Sequence, residues 1–236
     1  MTYLNREVIE GLSAEAFQSQ KPYPWVNIQG TLTPEGFEDL RTTLPDVSLF
    51  ERMVGVKRGY GQAPHDRAIL HYRPGHEMAS PWKEFLTELQ GESYESFLRR
   101  MLGLPPRKHI ILTMEWYYAW EGCAVSPHCD ARRKLATHLF YFNTPADWQG
   151  DWGGEILILD DEGRHKAHSA PEFDELKAAA RLDPLALRRA LADGDKKRSE
   201  SGRAVEKLRP TRQRCVGRSF SLKRFLNASL IDQRCC

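Results

Sequence analysis

Two residues with metal-binding side chains, His128 and Asp130, lie two positions apart in the segment SPHCDARRKLATHLFYFN, residues 126–143. Side chains at positions i and i+2 of a strand point to the same face, so an imidazole and a carboxylate would converge while Cys129 points away. Together with one distant histidine they would form a two-histidine, one-carboxylate triad, which leaves metal positions open and suits Fe(II) and oxygen chemistry. An H-x-D triplet alone is common by chance, so its surroundings decide what it means.

The elements that must position these residues are strands on either side of them. β-Branched and aromatic residues fill HIILTMEWYYAW before the triplet and ATHLFYFN after it, and GGEILILDD predicts a third strand. Turn-forming residues in TPADWQGDWGG separate the last two strands. Helical patterns come earlier in the chain. The sequence therefore predicts an α+β domain with a β-sandwich or barrel core.

The N-terminal part predicts one strand, early in PYPWVNIQGTLTPEGFEDLRTTLPD where Val26 and Ile28 suit it, and three helices. Thr33 is a good N-cap, and Pro34 suits the first position of the helix that follows. PWKEFLTELQG and SYESFLRRMLG predict two more short helices, with Gly91 and Gly103 as their C-caps. The predicted apolar stripes of these two helices are Trp82, Phe85, Leu86, Leu89, Tyr94, Phe97, Leu98 and Met101.

We expect one domain over residues 1–236, with an insertion at residues 161–203 and an atypical end at residues 204–236. Within the insertion, PEFDELKAAA and DPLALRRALADG predict short amphipathic helices, and GDKKRSESGR predicts a mobile loop. AVEKLRP and QRCVGRSFSLKRF are candidates for closing strands. Residues 46–80 are expected to form loops or strands over the mouth of the barrel, where they would select the substrate.

Composition limits the class of protein. Hydrophobic residues make up 41% and charged residues 28%, which is typical of a globular chain. We find no apolar run long enough for a membrane span and no secretory signal, so we expect a cytoplasmic protein with no membrane partner. The odd cysteine count of five and the lack of a C-x-x-C pair argue against a disulfide framework or a structural zinc site.

The basic residues are concentrated near the end of the sequence. From residue 196 onward, 12 lysines and arginines face 3 acidic residues, a local charge of +9. Only two aromatic residues, Phe220 and Phe225, lie among these cations, and they form no nucleic-acid motif, so we interpret the segment as a solvated or poorly ordered tail and expect no nucleic-acid partner. The expected partner is a small-molecule or protein substrate of unknown identity.

An ordered series of features resembles the Fe(II)- and 2-oxoglutarate-dependent dioxygenases of the prolyl 4-hydroxylase type. The tyrosine-rich EWYYAWEG is followed by SPHCD, then by the basic ARRK, then by ATHLFYFN, and finally by a tryptophan and a Gly-Gly-Glu turn in DWQGDWGGEILIL. The resemblance covers residues 112–160 well, and PWVNIQGTLTPEGFEDL is similar to the segment that precedes such domains.

The resemblance implies a double-stranded β-helix, or jelly roll, that hydroxylates a C–H bond of its substrate. It implies Fe(II) and 2-oxoglutarate as cofactors, with ascorbate as an optional third, and His128 and Asp130 as metal ligands with no further catalytic residue. Tyr118, Thr137 and Tyr141 are candidates for hydrogen bonds to 2-oxoglutarate. Tyr118 lies ten residues before His128, and Thr137 and Tyr141 share a strand face. Plain core packing is the alternative role for all three.

The third metal ligand is missing from its usual place. The family carries a second histidine on a late strand, followed by an arginine or lysine for 2-oxoglutarate, whereas no histidine follows His168 and Leu230 lies near the expected position. Three explanations remain: the end of the chain is truncated or altered; the chain has lost metal binding and is a non-catalytic jelly-roll binding module; or His165 or His168 supplies the ligand. We expect a poor catalyst that is marginally folded. A metal-dependent hydrolase or isomerase on a similar barrel is a further alternative.

Overall fold

Helices come early in the chain and most strands come late, as the sequence predicts. The structure is a computed structural model that describes residues 2–56, 65–120, 123, 133–146, 156–159, 165–169, 174–178 and 223–232. Among these residues the chain is an α+β protein, and every strand pair in it is antiparallel. Of residues 165–169, 174–178 and 223–232 the structure describes the backbone.

The three helices predicted in the N-terminal part begin and end close to their predicted positions, and two further short helices that were not predicted precede them. Thr33 caps one of the predicted helices, because its Oγ1 accepts a hydrogen bond from the backbone N–H of Gly36 at 3.1 Å. No helix in the described residues is long and apolar enough to cross a membrane. The helices are α1 (Arg6–Gly11), α2 (Ala14–Ser19), α3 (Pro34–Thr42), α4 (Ser80–Leu89) and α5 (Glu92–Leu102).

The two glycines predicted as C-caps behave differently. Gly103 ends α5 in the left-handed region, with φ of 60°, as predicted. Gly91 has φ of −77° and serves as the N-cap of α5, while Gln90 ends α4. The prediction for Gly91 is therefore wrong, because α4 and α5 follow each other too closely to leave room for a left-handed cap.

The strands form one large sheet and one small sheet. The order in the large sheet is β1-β8-β5-β9-β4-β3-β2, and β6 pairs with β7 in a separate two-stranded sheet. The strands are β1 (Trp25–Ile28), β2 (Glu51–Met53), β3 (Arg67–His71), β4 (Ile110–Ala119), β5 (Lys134–Tyr141), β6 (Ile156–Leu159), β7 (His165–Ser169), β8 (Asp174–Ala178) and β9 (Lys223–Asp232).

Within residues 161–203 the structure describes two stretches, and both of them are strands. The helix predicted over PEFDELKAAA is wrong at residues 174–178, where β8 pairs with β1 on one side and with β5 on the other. His165 and His168 belong to β7 and do not lie in a loop. A five-residue stretch carries too little periodicity to choose a helix, so hydrogen bonding to neighbouring strands decides its conformation.

The closing strand takes a central place in the large sheet. The sequence predicts a strand in QRCVGRSFSLKRF, and β9 begins at Lys223 near the end of that segment. Strand β9 lies between β4 and β5 and pairs with both of them over most of its length. Leu230, near which the second histidine was expected, is the register partner of both Leu112 and Ala136.

Aromatic side chains join one face of the large sheet to the helices. Trp82 of α4 is fully buried, and its ring centroid lies 5.3 Å from that of Trp116 on β4 and 5.2 Å from that of Phe142 just after β5. Phe85 of α4 lies 5.4 Å from Phe140 of β5. Full burial of one such side chain contributes about 1.5–3 kcal/mol, so these contacts are a main source of stability. All eight residues of the predicted stripes of α4 and α5 are buried.

The titratable side chain of His138 is buried in this aromatic core. Its ring lies 4.0 Å from that of Phe140, and a hydrogen bond of 2.8 Å joins its Nδ1 to the hydroxyl of Tyr94 on α5. Its Nε2 is buried without a hydrogen-bond partner among the described residues. Burial disfavours the charged imidazolium and lowers the pKa of His138 to about 3.

The buried histidine should make stability depend on pH. The unfolded chain binds a proton at His138 below about pH 6.5, whereas the folded chain does so only near pH 3, so stability is complete above pH 6.5 and falls as the pH decreases toward 3. Between about pH 6.5 and pH 3, the free energy of unfolding should decrease by about 1.4 kcal/mol for each pH unit. Urea unfolding of the wild-type protein and of His138→Leu between pH 4 and 8 measures it. An equal slope in both proteins would contradict the assignment.

Candidate functional site

The face of the large sheet opposite the helices carries a set of polar and aromatic side chains. Directly paired residues of antiparallel strands share a face. Tyr117 of β4 and Tyr141 of β5 are both register partners of Phe225, and Thr137 of β5 and Thr113 of β4 are both partners of Ser229. We call this side of the sheet the polar face.

Thr137 and Tyr141 share the polar face, as the sequence predicts. Thr137 is 2% exposed, and its Oγ1 has no hydrogen-bond partner among the residues that the structure describes. Tyr141 is also buried. An unsatisfied buried hydroxyl costs about 1–3 kcal/mol, and such a group in a native protein marks a place for a water molecule or a ligand.

Tyr118 lies on the opposite face of the sheet from Thr137 and Tyr141. Its ring stacks on Phe50 with centroids 4.4 Å apart, and its hydroxyl donates a hydrogen bond of 2.9 Å to the backbone carbonyl of Pro45, which follows α3. The structure therefore does not bring the three predicted cosubstrate residues together. The neighbouring residue, Tyr117, is the β4 tyrosine that lies on the polar face.

A hydrogen-bonded cluster on strands β3 and β4 was missed by the sequence analysis. His71 Nδ1 lies 2.9 Å from Glu115 Oε1, and the Tyr117 hydroxyl donates to Glu115 Oε2. The Arg67 guanidinium carbon lies 4.9 Å from the centroid of the Tyr117 ring. The alternation in RAILH and TMEWYYA places each member on one strand face, but the pairing of β3 with β4 could not be read from the sequence.

The pairing of β3 with β4 shows what residues 46–80 contribute to the large sheet. Part of this segment forms β2 and β3, which extend the large sheet beyond β4. A short 3₁₀ helix, Val47–Leu49, precedes β2. This agrees with the prediction of loops or strands, and the segment supplies His71 and Arg67 to the polar face. Its predicted role in selecting the substrate stays a prediction.

The predicted metal ligands His128 and Asp130 lie outside the described residues. Among the residues that the structure does describe, no three histidine, cysteine, aspartate or glutamate side chains form a group that could hold a metal ion. The metal site thus stays a prediction from the sequence. Thr137, which follows Asp130 by seven positions, is the nearest of the predicted site residues with a described environment.

Comparison with solved structures identifies a similar fold. A crystal structure of a prolyl-4-hydroxylase from Pseudomonas putida matches with a TM-score of 0.57 and 12% sequence identity, over 93% of this chain and 98% of that chain. No protein-family model and no curated protein sequence matches the chain. The fold of this chain is therefore similar to that of a prolyl-4-hydroxylase, whereas the low identity carries no information about activity.

The buried hydroxyl of Thr137 should destabilise the protein when no ligand is bound. We expect Thr137→Val to raise the free energy of unfolding by about 1 kcal/mol, because the substitution removes an unsatisfied polar group at similar volume. Thr33→Val is a matched control that should lower it by about 1 kcal/mol, since it removes a helix cap. Chemical denaturation measures both changes. A loss of stability in Thr137→Val would mean that the hydroxyl already has a partner.

Proposed function

We propose that the chain is an Fe(II)- and 2-oxoglutarate-dependent dioxygenase of the prolyl 4-hydroxylase type, which hydroxylates a C–H bond of its substrate. The metal ligands would be His128 and Asp130, and Thr137 and Tyr141 would contact 2-oxoglutarate. The observation that carries this proposal is the buried Thr137 hydroxyl on the polar face, which has no hydrogen-bond partner among the described residues, in a chain whose fold is similar to that of a prolyl-4-hydroxylase.

The described residues fit a carboxylate-bearing cosubstrate. Thr137 Oγ1 can both donate and accept a hydrogen bond, and it lies in an environment from which water is largely excluded. A hydrogen bond to a carboxylate oxygen is stronger than one to a neutral group, particularly where the local dielectric constant is low. Tyr118 takes no part in this proposal, because its hydroxyl is bonded to the Pro45 carbonyl on the other face.

The arrangement of strands supports a jelly roll as the finer description of the fold. Strands β4, β5, β8 and β9 lie in the large sheet, while the intervening β6 and β7 pair with each other in a second sheet. A chain that alternates between two antiparallel sheets in this way is typical of jelly rolls. The open polar face of the large sheet would then be the interior of the barrel.

The metal would bind near the start of β5. Residues 128 and 130 lie between the end of β4 and the start of β5, and Asp130 precedes Lys134 by four positions, so the two ligands would be nearer to Thr137 than to Tyr141 at the far end of β5. When bound, Fe(II) would allow O₂ to convert 2-oxoglutarate to succinate and CO₂, with one oxygen atom of O₂ entering succinate and the other entering the C–H bond of the substrate. His165 or His168 of β7 is the candidate for the remaining ligand.

Metal binding tests the proposed ligands directly. Titration calorimetry with Mn(II), which replaces Fe(II) without oxidising, should show binding that strengthens when 2-oxoglutarate is present. We expect His128→Ala and Asp130→Ala to weaken it by about 100-fold or more, since even outer-shell changes reach that size at metal sites. His76→Ala, in the turn after β3, is the matched control and should leave the affinity unchanged. Equal binding by His128→Ala and the wild-type protein would refute the assignment.

The same titration locates the third ligand. If His165→Ala or His168→Ala weakens Mn(II) binding as much as His128→Ala does, that residue completes the site. If neither substitution has an effect, the ligand is another group or a solvent molecule. Two protein ligands hold a divalent metal less tightly than three, so a wild-type affinity in the high micromolar range or weaker would indicate an incomplete site.

A non-catalytic jelly-roll binding module is the second candidate function. Leu230 favours it, because a leucine with Leu112 and Ala136 as register partners stands near the position where the second histidine was expected. Fe(II)-dependent conversion of 2-oxoglutarate to succinate, measured with the purified chain, separates the two candidates. For the chain as written we expect turnover at least about 100-fold below the usual enzyme range of 1–10³ s⁻¹. A turnover within that range would exclude the binding module.

A further inference from the structure

A cavity of about 390 Å³ lies on the helix side of the large sheet, away from the polar face. The residues that follow α3 and those that lead into α4 line it, together with Trp82 of α4. Pro45 belongs to this lining, and its carbonyl accepts the hydrogen bond from Tyr118, whose side chain lies on the packed face of β4. The cavity is therefore separate from the residues proposed to bind 2-oxoglutarate.

The charged side chains that line this cavity are acidic. Asp46 and Glu77 are exposed, and no lysine, arginine or histidine lines the cavity among the described residues. Hydrogen bonds from Ser48 hold the pKa of the Asp46 carboxyl below its usual range, so this group is anionic at neutral pH. Thr43 at the end of α3 and Ala79 at the start of α4 also line the cavity, but the partial charges of these helix ends, about −0.5 and +0.5, oppose each other. The two carboxylates therefore decide the sign, and the cavity favours a cation.

The rest of the lining and the surface beside it are apolar. Leu44, Met78 and Trp82 line the cavity, and so does Leu49, which is 56% exposed. Four of the five large hydrophobic side chains that are exposed in the described part of the chain lie within residues 47–56. Single exposed apolar residues are normal, whereas their concentration in one short segment is typical of an interaction surface.

A basic side chain with apolar neighbours matches both properties of the cavity. Lysine and arginine bury their methylene stems along apolar surfaces and keep the charged group beside polar atoms. The volume is near the lower end of the range for ligand pockets, about 300–1,000 Å³, and is sufficient for such a side chain. A metal ion fits less well, because hard cations take about six or more oxygen ligands and this lining offers two carboxylates in apolar surroundings.

We propose that this cavity is a docking site for a partner protein, which inserts a lysine or arginine that is flanked by apolar residues. The methylene stem would lie along Leu44, and the cationic group would contact Asp46 and Glu77. The flanking apolar residues of the partner would cover Leu49 and the neighbouring Val47, which is 54% exposed. Because the site lies on the packed side of the sheet, the proposal does not depend on the dioxygenase activity proposed above.

The test compares short peptides that differ in one charge. Capped, fluorescein-labelled peptides with a lysine between two leucines are compared with peptides in which norleucine replaces the lysine, so that the stem stays and the charge is lost. At low salt, we expect the wild-type chain to bind the lysine peptide about 3- to 10-fold more tightly, as two exposed ion pairs allow. Fluorescence anisotropy measures both affinities. The preference should disappear at about 1 M NaCl, where the Debye length is about 3 Å.

Variants assign the preference to the cavity. The double variant Asp46→Asn with Glu77→Gln should bind both peptides equally, and it should still fold, since asparagine caps a helix about as well as aspartate. Leu49→Ser should weaken both peptides by a similar factor and keep the preference. Glu10→Gln removes an exposed carboxylate of α1 and is the matched control, so it should change neither affinity. Thermal unfolding checks that each variant folds.

Every other outcome contradicts the proposal. Equal binding of the two peptides by the wild-type chain, or binding of neither, would mean that the cavity does not recognise a basic side chain. A preference that survives in the double variant Asp46→Asn with Glu77→Gln would place the binding site elsewhere. If sedimentation velocity shows that the wild-type chain self-associates and that the double variant does not, the occupant is a second copy of this chain and not a different protein.

Discussion

The packing of β5 against α4 fixes which side of the sheet is free for chemistry. Phe140 and Phe142 contact Phe85 and Trp82, which are almost completely shielded from solvent. Because strand side chains alternate, this contact forces Thr137 and Tyr141 to the other side. A shift of one residue in the register of β5 would exchange the two sets and would place phenylalanines on the polar face. The site therefore depends on the aromatic core, although no core residue belongs to the site.

Neighbouring residues on β5 illustrate how strongly the two faces differ. His138 lies among rings, keeps a hydrogen bond to Tyr94 and stays uncharged down to about pH 3. Thr137 lies beside it in sequence, yet its hydroxyl has no partner among the described residues. The His138 ring thus keeps one hydrogen bond on the packed face, although its Nε2 has no partner among the described residues, whereas the Thr137 hydroxyl has none on the face where a ligand could bind. Stability requires that buried polar groups be hydrogen-bonded within the protein, whereas binding requires polar groups that are free to contact a ligand. Because side chains alternate between the two faces of a strand, β5 can serve one requirement on each face.

Local signals in the sequence were sufficient for α3, α4 and α5 and for the face of β5, whereas α1 and α2 were not predicted. The cap at Thr33, the apolar stripes of α4 and α5 and the shared face of Thr137 and Tyr141 depend on residues a few positions apart. Features that depend on distant partners were not predictable. Strand β8 was taken for a helix, because β1 and β5 determine its conformation. The ten-residue spacing between Tyr118 and His128 does not indicate that Tyr118 points towards Pro45. No local sequence pattern indicates that Arg67 contacts Tyr117.

The central position of β9 has a consequence for how the chain is made. Residues 223–232 fill the gap between β4, Ile110–Ala119, and β5, Lys134–Tyr141, so both strands pair with a segment that lies about 85 to 120 residues later in the sequence. Contacts of such long separation slow folding, because a large loop must close before they form. On the ribosome, two long aromatic strands would have unpaired edges until residues 223–232 emerge. Those edges are where a nascent chain would need a chaperone, and where premature pairing with another copy would lead to aggregation.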